Sequence, residues 1–323
     1  MSNLEDRPDE VTCAGAVTPG VEIMTPRDVP LGGPRAMRVR RTLPQRQRSL
    51  IGAWCFVDHY GPDLVADTGG MVVPPHPHTG LQTVSWLFTG EVEHRDSAGH
   101  HAMVRPGEVN LMTAGRGISH SEVSPPSTTT LHGAQLWVAL PDADRFVDPG
   151  FAHHAPTPVT GPGWEARVFL GSLLGDASPV PTYTPLLGAE LLLDPGATLA
   201  LEVDETFEHG VLADTGVLSV EGVETKKDDL AYVPPGRSTL TLTAHDEAVR
   251  VLLLGGPPFG ESIVMWWNIV ARTHEEVVAW REEWQAQITD AGLVDGHFGV
   301  PVGDERPPIP APPLPNARLR PRT

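Results

Sequence analysis

Residues 70–122 read GMVVPPHPHTGLQTVSWLFTGEVEHRDSAGHHAMVRPGEVNLMTAGRGISHSE, and the architecture of the chain can be inferred from this segment outward. It contains two pairs of potential metal ligands, His76 with His78 and His120 with Glu122. Each pair is spaced i, i+2, so on a β-strand both side chains of a pair point to the same face. Between the pairs, apolar and polar residues alternate around the turn sequence DSAG, which predicts one outgoing and one returning strand. The return is expected to bring Glu122 near His76.

Three imidazoles and one carboxylate form a mixed nitrogen and oxygen ligand set. Such a set suits a divalent first-row transition metal and disfavours calcium, which prefers oxygen ligands alone. Open coordination positions would make the site reactive rather than structural. An isolated His-x-His pair is just as often two surface histidines, but a His-x-Glu behind a hairpin favours a metal site. The sequence therefore predicts one divalent transition-metal ion per chain without fixing which metal it is. Iron(II) is our first assignment, and nickel, cobalt, copper, manganese or zinc are the alternatives.

These residues lie in motifs that resemble a known family. The segment from Gly70 to Gly90 is similar to the first cupin motif, and the segment from Gly107 to His120 is similar to the second. More specifically, PHPHTGLQTVSWLFTGEVEHRDS, MTAGRGISHSE, HGAQLWVALP and GGPPFGESIVMWWNIVARTHEEV resemble the pirin family, whose members are bicupins. The likeness runs over about residues 38–285, most of the chain.

The resemblance implies a metal held by His76, His78, His120 and Glu122. It also implies quercetin 2,3-dioxygenase activity, in which dioxygen opens a flavonol and carbon monoxide is released, with Glu122 as the base that accepts the substrate's proton. Pirins are also described as metal-dependent co-regulators, so a non-catalytic regulator acting through a protein partner is the alternative. Gln82 departs from the family pattern, because many pirins and cupins carry Glu at this position, which is not a metal ligand in pirins.

The composition argues against several classes of protein. A net charge of −18 over 323 residues disfavours direct nucleic-acid binding, because phosphate backbones repel such a chain. The two cysteines lack a metal-type spacing, the N-terminus has no apolar leader, and no run of about 18 apolar residues occurs. We therefore expect a cytoplasmic protein without membrane contact, acting as a monomer on a small aromatic substrate and dioxygen.

The sequence predicts an all-β protein of two tandem cupin (jelly-roll) barrels with a C-terminal helix. The expected units are an N-terminal arm at 1–33, a metal-binding cupin domain at 34–140, a linker at 141–180, a second cupin domain without metal at 181–265, a C-terminal helix at 266–290 and a Pro-rich tail at 291–323. The second domain keeps only His209 where a His-x-His pair belongs, and one imidazole cannot hold a catalytic ion. Thr273 and Glu276 predict a capping box at the start of the helix, and the tail should be either disordered or laid along the body.

The remaining histidines are not assigned to the site. His94, His100 and His101 flank the predicted hairpin turn and are expected to face solvent. His59 is expected to serve loop packing, and His132 lacks a partner at ligand spacing. The chain contains no phosphate-binding loop of the GxxxxGK[ST] type and no supported Ser/His/Asp arrangement, which disfavours kinases and hydrolases.

Overall fold

Short strands and tight turns make up most of the chain, as its 33 glycines and 34 prolines predict. The computed structural model describes residues 20–31 and 37–322. The first part of the chain contains β1 (Glu22–Met24), β2 (Arg27–Leu31), β3 (Met37–Leu43), β4 (Trp54–Leu64), α1 (Val65–Thr68), β5 (Val72–His78), β6 (Leu81–Thr89), β7 (Val92–Asp96), β8 (His101–Val104), β9 (Val109–Thr113), β10 (Ile118–Val123), β11 (Thr130–Ala139) and β12 (Gly150–His154).

The second part repeats this strand-rich pattern and then changes to a hairpin and a helix. Its elements are β13 (Val159–Gly161), β14 (Trp164–Leu170), β15 (Ser172–Leu173), β16 (Asp176–Ala177), β17 (Leu187–Leu193), β18 (Thr198–Glu202), β19 (Glu208–Thr215), β20 (Leu218–Val220), β21 (Val223–Thr225), β22 (Leu230–Val233), β23 (Thr239–Ala244), β24 (Val249–Gly256), β25 (Val264–Trp266), β26 (Ile269–Ala271), α2 (His274–Gln287), β27 (Ile288–Thr289) and β28 (Gly292–Leu293).

Each half builds a barrel from one seven-stranded and one four-stranded antiparallel sheet. The first barrel has the orders β12-β9-β6-β11-β4-β3-β2 and β5-β10-β7-β8. The second has β1-β22-β19-β24-β17-β14-β13 and β18-β23-β20-β21. The hairpin predicted around DSAG is present, since β7 pairs with β8 across that turn. The predicted all-β architecture of two barrels with a C-terminal helix is therefore confirmed.

Two segments that were expected to lie outside the barrels form parts of their sheets. Within the predicted arm at 1–33, residues 1–19 and 32–36 lie outside the described part of the chain, but β1 pairs with β22 of the second barrel and β2 with β3 of the first. Within 141–180, β12 pairs with β9 and β14 pairs with β17. Parts of the segment expected to be a linker therefore belong to the sheets of both barrels, where strand pairing satisfies their backbone groups.

One of the hydrophobic clusters spans both barrels. Residues of both seven-stranded sheets form a single buried cluster, in which Trp54 and Trp86 of the first barrel meet Phe169 and Leu252 of the second. Trp86 stacks on Phe169 with ring centroids 4.6 Å apart, and its Nε1 donates a hydrogen bond to Glu190. The continuous apolar contact fixes the barrels against each other.

Helix α2 has the predicted capping box. The Thr273 side chain accepts from the Glu276 backbone N–H, and the Glu276 carboxylate accepts from the Thr273 backbone N–H. The helix is shorter than the predicted 266–290, because β25 and β26 form a hairpin before the cap. Trp280 and Trp284 of the helix are buried. Neither α2 nor α1, the helices of the described residues, is long and apolar enough to cross a bilayer.

The Pro-rich tail lies along the first barrel. The Ile309 N–H donates to the Pro75 carbonyl at 2.8 Å, next to the first ligand histidine in sequence, and the Val302 N–H donates to the Asp96 carbonyl at 3.3 Å. Of the two predicted alternatives, disorder or docking along the body, the second holds for the tail up to residue 322.

Candidate metal centre

The four predicted ligands lie on neighbouring strands of the first barrel's four-stranded sheet. Strand β10 lies between β5 and β7, so its residues have a partner on each side. His120 pairs with His76 on β5 and with Asp96 on β7. On the β7 side, Glu122 pairs with His94. The register therefore collects imidazoles and carboxylates from three adjacent strands at one place.

Three of the predicted ligands form a compact triangle of imidazoles. The ring centroids are 4.3 Å apart for His76 and His120, 4.9 Å for His78 and His120, and 5.1 Å for His76 and His78. All three side chains are 0% exposed. Burial, as the largest cause, lowers the pKa of each imidazole well below its ordinary value of 6.5. Neutral imidazoles are the form that binds a metal ion.

The hydrogen bonds of this triangle leave one nitrogen of each ring unused. Nδ1 of His76 donates to the Pro74 carbonyl at 2.9 Å, and Nδ1 of His78 donates to the Asn268 carbonyl at 3.0 Å. The Nε2 atoms of His76, His78 and His120 are buried and make no hydrogen bond within the described part of the chain. A buried ring nitrogen without a partner is costly unless something binds it. Three such atoms from rings in contact fit a transition-metal ion.

Glu122 lies beside this triangle rather than within it. Its carboxylate forms a compact group with His94 and His120, whose ligand atoms all lie within 4.8 Å of one another, whereas the group of His76, His78 and His120 does not include it. A register irregularity between His120 and Glu122 on the β5 side separates this pair from regular i, i+2 geometry. The structure thus brings three predicted ligands together. Glu122 lies next to them, and His120 is the member of the triangle with which it is grouped.

His94 was expected to face solvent, and that expectation is wrong. It is 3% exposed, its Nδ1 lies 3.4 Å from Nδ1 of His120, and its Nε2 lies 3.1 Å from Oδ2 of Asp96. Burial would raise the pKa of Asp96, but hydrogen bonds from His94 and His100 outweigh it and lower this pKa. His101, in contrast, is exposed as expected, and His100 is partly exposed. The i, i+2 spacing of His94 and Asp96 on a strand next to β10 was the signal that could have revealed the pair.

A second histidine group lies between the barrels. Nε2 of His59 and Nε2 of His132 lie 2.7 Å and 2.5 Å from Oδ1 of Asp214, and Arg250 lies 3.2 Å from Oδ2. His59 is therefore in an inter-barrel cluster on β4 rather than in a loop, and His132 has a partner that sequence spacing could not show. The potential ligand atoms here already bind one another, unlike the Nε2 atoms of the triangle. This group is a polar connection between the barrels.

Two further predicted features lie away from the triangle. His209 belongs to none of the groups of three or more potential ligands among the described residues. Nε2 of Gln82 donates to Oγ1 of Thr113 at 3.0 Å, and no hydrogen bond from Gln82 to a candidate ligand is observed within the described residues. The departure of Gln82 from the family pattern therefore leaves the three imidazoles in place.

Two antiparallel barrels in one chain, one of them with a histidine triad on its four-stranded sheet, define a bicupin. Profiles of known families agree with this class. The profile described as Pirin matches residues 36–138, and the profile described as Pirin C-terminal cupin domain matches residues 188–289. The chain belongs to the pirin family. The resemblance read from the sequence motifs is thus confirmed.

Relatives and solved structures extend this likeness over nearly the whole chain. A Pseudomonas aeruginosa protein named for an unproven quercetin 2,3-dioxygenase activity is 42% identical over 323 residues, 98% of each chain. A pirin-like protein of Caulobacter vibrioides is 37% identical over 257 residues, 77% of this chain and 88% of the relative. The crystal structure of a quercetin 2,3-dioxygenase from Acinetobacter baumannii has a TM-score of 0.86 and 38% identity, and covers 94% of this chain and 98% of that chain.

Proposed function

We propose that this pirin is a metal-dependent dioxygenase that opens a flavonol such as quercetin and releases carbon monoxide. The observation that carries the proposal is the convergence of three buried imidazoles whose Nε2 atoms make no hydrogen bond within the described residues. The names of the Pseudomonas and Acinetobacter relatives support the same reaction. We also propose, from the sequence, that the protein is located in the cytoplasm and is a monomer.

In this proposal His76, His78 and His120 hold one divalent transition metal, and Glu122 completes the ligand set. The nitrogen and oxygen donors suit iron(II), our first assignment, and also nickel, cobalt, copper, manganese or zinc. A metal bound there supplies Lewis acidity to the reaction. The carbonyls of Pro74 and Asn268 hold two of the rings by Nδ1, which aims each Nε2 into the site.

Glu122 acts as the general base. It lies beside His120 and can accept the proton of the flavonol 3-hydroxyl, which leaves an electron-rich flavonolate. Tyr60 does not compete for this role, because burial and then the nearby charge of Glu122 raise its pKa well above 10 and keep it protonated. The flavonolate then reacts with dioxygen. Both oxygen atoms of dioxygen enter the cleaved product, the carbon that bore the hydroxyl leaves as carbon monoxide, and Glu122 returns its proton to the product.

The surroundings of the site exclude water. Trp137 meets His78 edge-on with ring centroids 5.0 Å apart, and it belongs to a buried apolar cluster with Met112 and Ile118. Low polarity strengthens the electrostatic interactions of the ligand groups and keeps water away from a reactive flavonolate. The protein therefore contributes positioning, a base and a dry environment.

A second candidate function is favoured by the enclosure of the same site. His76, His78 and His120 are 0% exposed and Glu122 is 1% exposed. A ligand set closed off from solvent suits a metal-dependent regulatory protein that reports metal binding to a protein partner, since such a role needs no substrate entry. The net charge of −18 is compatible with a partner that has a basic surface.

One experiment separates the two functions. The full-length protein is loaded in turn with iron, nickel, cobalt, copper, manganese and zinc, and the bound metal is quantified. Each form is then incubated in air with quercetin, while loss of the quercetin absorbance and release of carbon monoxide are measured. We expect at least one metal form to give both signals in equal amounts. Full metal occupancy without turnover in every form would reject the dioxygenase and leave the regulator.

A further inference from the structure

The second barrel contains a cavity that the candidate metal centre does not use. Its volume is about 460 Å³, within the range of roughly 300–1,000 Å³ that is usual for sites of small molecules. Its inner wall is formed by buried Leu173, Leu186, Leu187 and His209. Its mouth is formed largely by the loop between β18 and β19. The cavity thus joins an apolar interior to the barrel surface.

His209 is the polar group of the inner wall. It is 2% exposed, and its Nε2 is buried without a hydrogen-bond partner among the described residues. On β19 it shares a face with Val211 and Ala213, which belong to the core of the second barrel, so its ring points to the barrel interior. Burial lowers the pKa of His209 to about 4, which makes the ring neutral at pH 7. An unpaired neutral imidazole in a cavity is an anchor for one hydrogen-bonding group.

Gly255 leaves space for the His209 ring. His209 pairs with Gly255 on β24, and a Cβ added to Gly255 would lie only 3.0 Å from Cδ2 of His209. The glycine therefore gives the ring its room against the sheet.

The mouth of the cavity is acidic. Glu202 and Asp204 are exposed there, and no Lys or Arg is among the described residues that line the cavity. Phe207 lies between this mouth and the inner wall, with its ring centroid 6.2 Å from that of His209. Two carboxylates attract a cation and repel an anion, while Phe207 and the leucines favour an apolar or aromatic body.

We propose that the mouth of the second barrel binds a small aromatic amine that carries a hydroxyl group at its far end. The hydroxyl meets Nε2 of His209, the ring packs between Leu186 and Phe207, and the ammonium group faces Glu202 and Asp204. A hydroxyl fits the anchor because it can donate to the ring nitrogen or accept from it, whichever tautomer is present. A metal ion does not fit, because one imidazole without neighbouring ligands cannot hold it.

Three probes of one shape test the proposal on the full-length protein. Tyramine has both the phenol hydroxyl and the ammonium group, phenethylamine lacks the hydroxyl, and 4-hydroxyphenylacetate replaces the ammonium by a carboxylate. Binding is measured by isothermal titration calorimetry and ligand-observed NMR at up to millimolar concentration. We expect tyramine to bind, phenethylamine to bind about fivefold more weakly for want of one hydrogen bond, and 4-hydroxyphenylacetate at least about tenfold more weakly.

Variants assign these preferences to residues. In His209→Leu the ratio of the affinities for tyramine and phenethylamine should fall to about one, because the hydroxyl then has no hydrogen-bond partner. His209→Gln, which keeps a donor and an acceptor, should retain part of it. The double variant Glu202→Gln, Asp204→Asn should reduce the preference for ammonium over carboxylate. The control double variant Glu224→Gln, Glu247→Gln removes two exposed carboxylates elsewhere and should leave it unchanged.

Other results would overturn the proposal. Absence of tyramine binding, or equal binding of the three probes, would show that the cavity does not recognise a hydroxylated aromatic amine. Preferences that persist in the His209→Leu protein, with unchanged circular dichroism, would place the amine elsewhere. The test involves none of the candidate metal ligands, so its outcome is independent of the dioxygenase proposal.

Discussion

Nδ1 of His94 lies 3.4 Å from Nδ1 of His120, and the other nitrogen of His94 lies 3.1 Å from Asp96. Since Asp96 is an acceptor, the arrangement assigns a hydrogen to Nε2 of His94 and leaves its Nδ1 as an acceptor for the Nδ1–H of His120. The lone pair of His120 is then on Nε2, the atom that faces the metal site. A carboxylate and a second histidine thus set the tautomer of a ligand, a known way to raise its basicity.

Removing His94 should weaken metal binding without removing a ligand of the triangle. We expect His94→Leu to lower the affinity for the metal by about 10- to 100-fold, the usual effect of losing a group that orients a ligand histidine. Affinity is measured by competition with a chromophoric chelator, and His101→Leu, a change at an exposed position, is the control. Equal affinities of the wild-type and His94→Leu proteins would contradict this role of His94.

Loss of a triangle imidazole should remove the metal itself. The purified protein is predicted to contain about one metal ion per chain, and His76→Ala or His120→Ala should lose it, because no other group among the described residues offers three unpaired Nε2 atoms. Elemental analysis of wild type, both variants and the His101→Ala control gives the answer. Full metal loading in a protein that carries both His76→Ala and His120→Ala would show that the metal binds elsewhere.

The second barrel gives the opposite prediction. His209→Gln should leave the metal content unchanged, because His209 belongs to no group of potential ligands within the described part of the chain. The comparison uses elemental analysis, with circular dichroism to verify the fold. A fall in metal stoichiometry in a correctly folded variant would mean that His209 is a ligand.

Asp214 should stabilise the contact between the barrels at neutral pH. Burial alone would raise its pKa, but the hydrogen bonds from His132 and His59 outweigh burial and lower it below the ordinary 3.8. A carboxyl with a lowered pKa in the folded state stabilises the protein above pH 3.8, and this contribution is lost as the pH falls below that value. We expect Asp214→Asn to reduce the free energy of unfolding by about 3 kcal/mol at pH 7, because two buried histidines and Arg250 lose the negative charge that they contact.

Urea unfolding at several pH values checks this prediction. The difference between wild type and Asp214→Asn should be largest near pH 7 and should narrow below pH 3.8. Asp246→Asn, at an exposed turn, is the control and should show little difference at any pH. A difference that grows as the pH falls would contradict the assigned ionisation of Asp214.

Local spacing predicted the part of the site that depends on strand geometry. The i, i+2 pair of His76 and His78 and the returning His120 follow from alternation and a hairpin, and the structure joins these three rings. The position of Glu122 depended on a register irregularity that no spacing rule shows. His94 was misjudged because residues near a turn are usually exposed, whereas its strand is adjacent to β10 and its side chain is buried.

Long-range contacts were beyond the reach of the sequence. His59 and Asp214 are separated by 155 positions, and only the docking of the two barrels brings them together. The same holds for β1, which leaves the N-terminal region to pair with β22 of the second barrel. Tertiary packing decides such contacts, and periodicity within one segment carries no information about them.

One substitution tests whether Glu122 is the base of a flavonol dioxygenase. Glu122→Gln keeps the size of the side chain and one coordinating oxygen but removes nearly all of its basicity. Wild type and variant are loaded with the same metal, and turnover of quercetin per bound metal is followed by absorbance loss and carbon monoxide release. Glu91→Gln, which changes a partly exposed carboxylate of the same barrel, is the matched control.

We predict that turnover per metal falls by about 10² to 10⁴ in Glu122→Gln, the usual share of a positioned general base. Activity should partly return at alkaline pH, where flavonolate forms without the base, and the Glu91→Gln control should match wild type. Unaltered turnover per metal in Glu122→Gln would contradict the assignment of the base, and a metal-replete wild type without any turnover would contradict the dioxygenase itself.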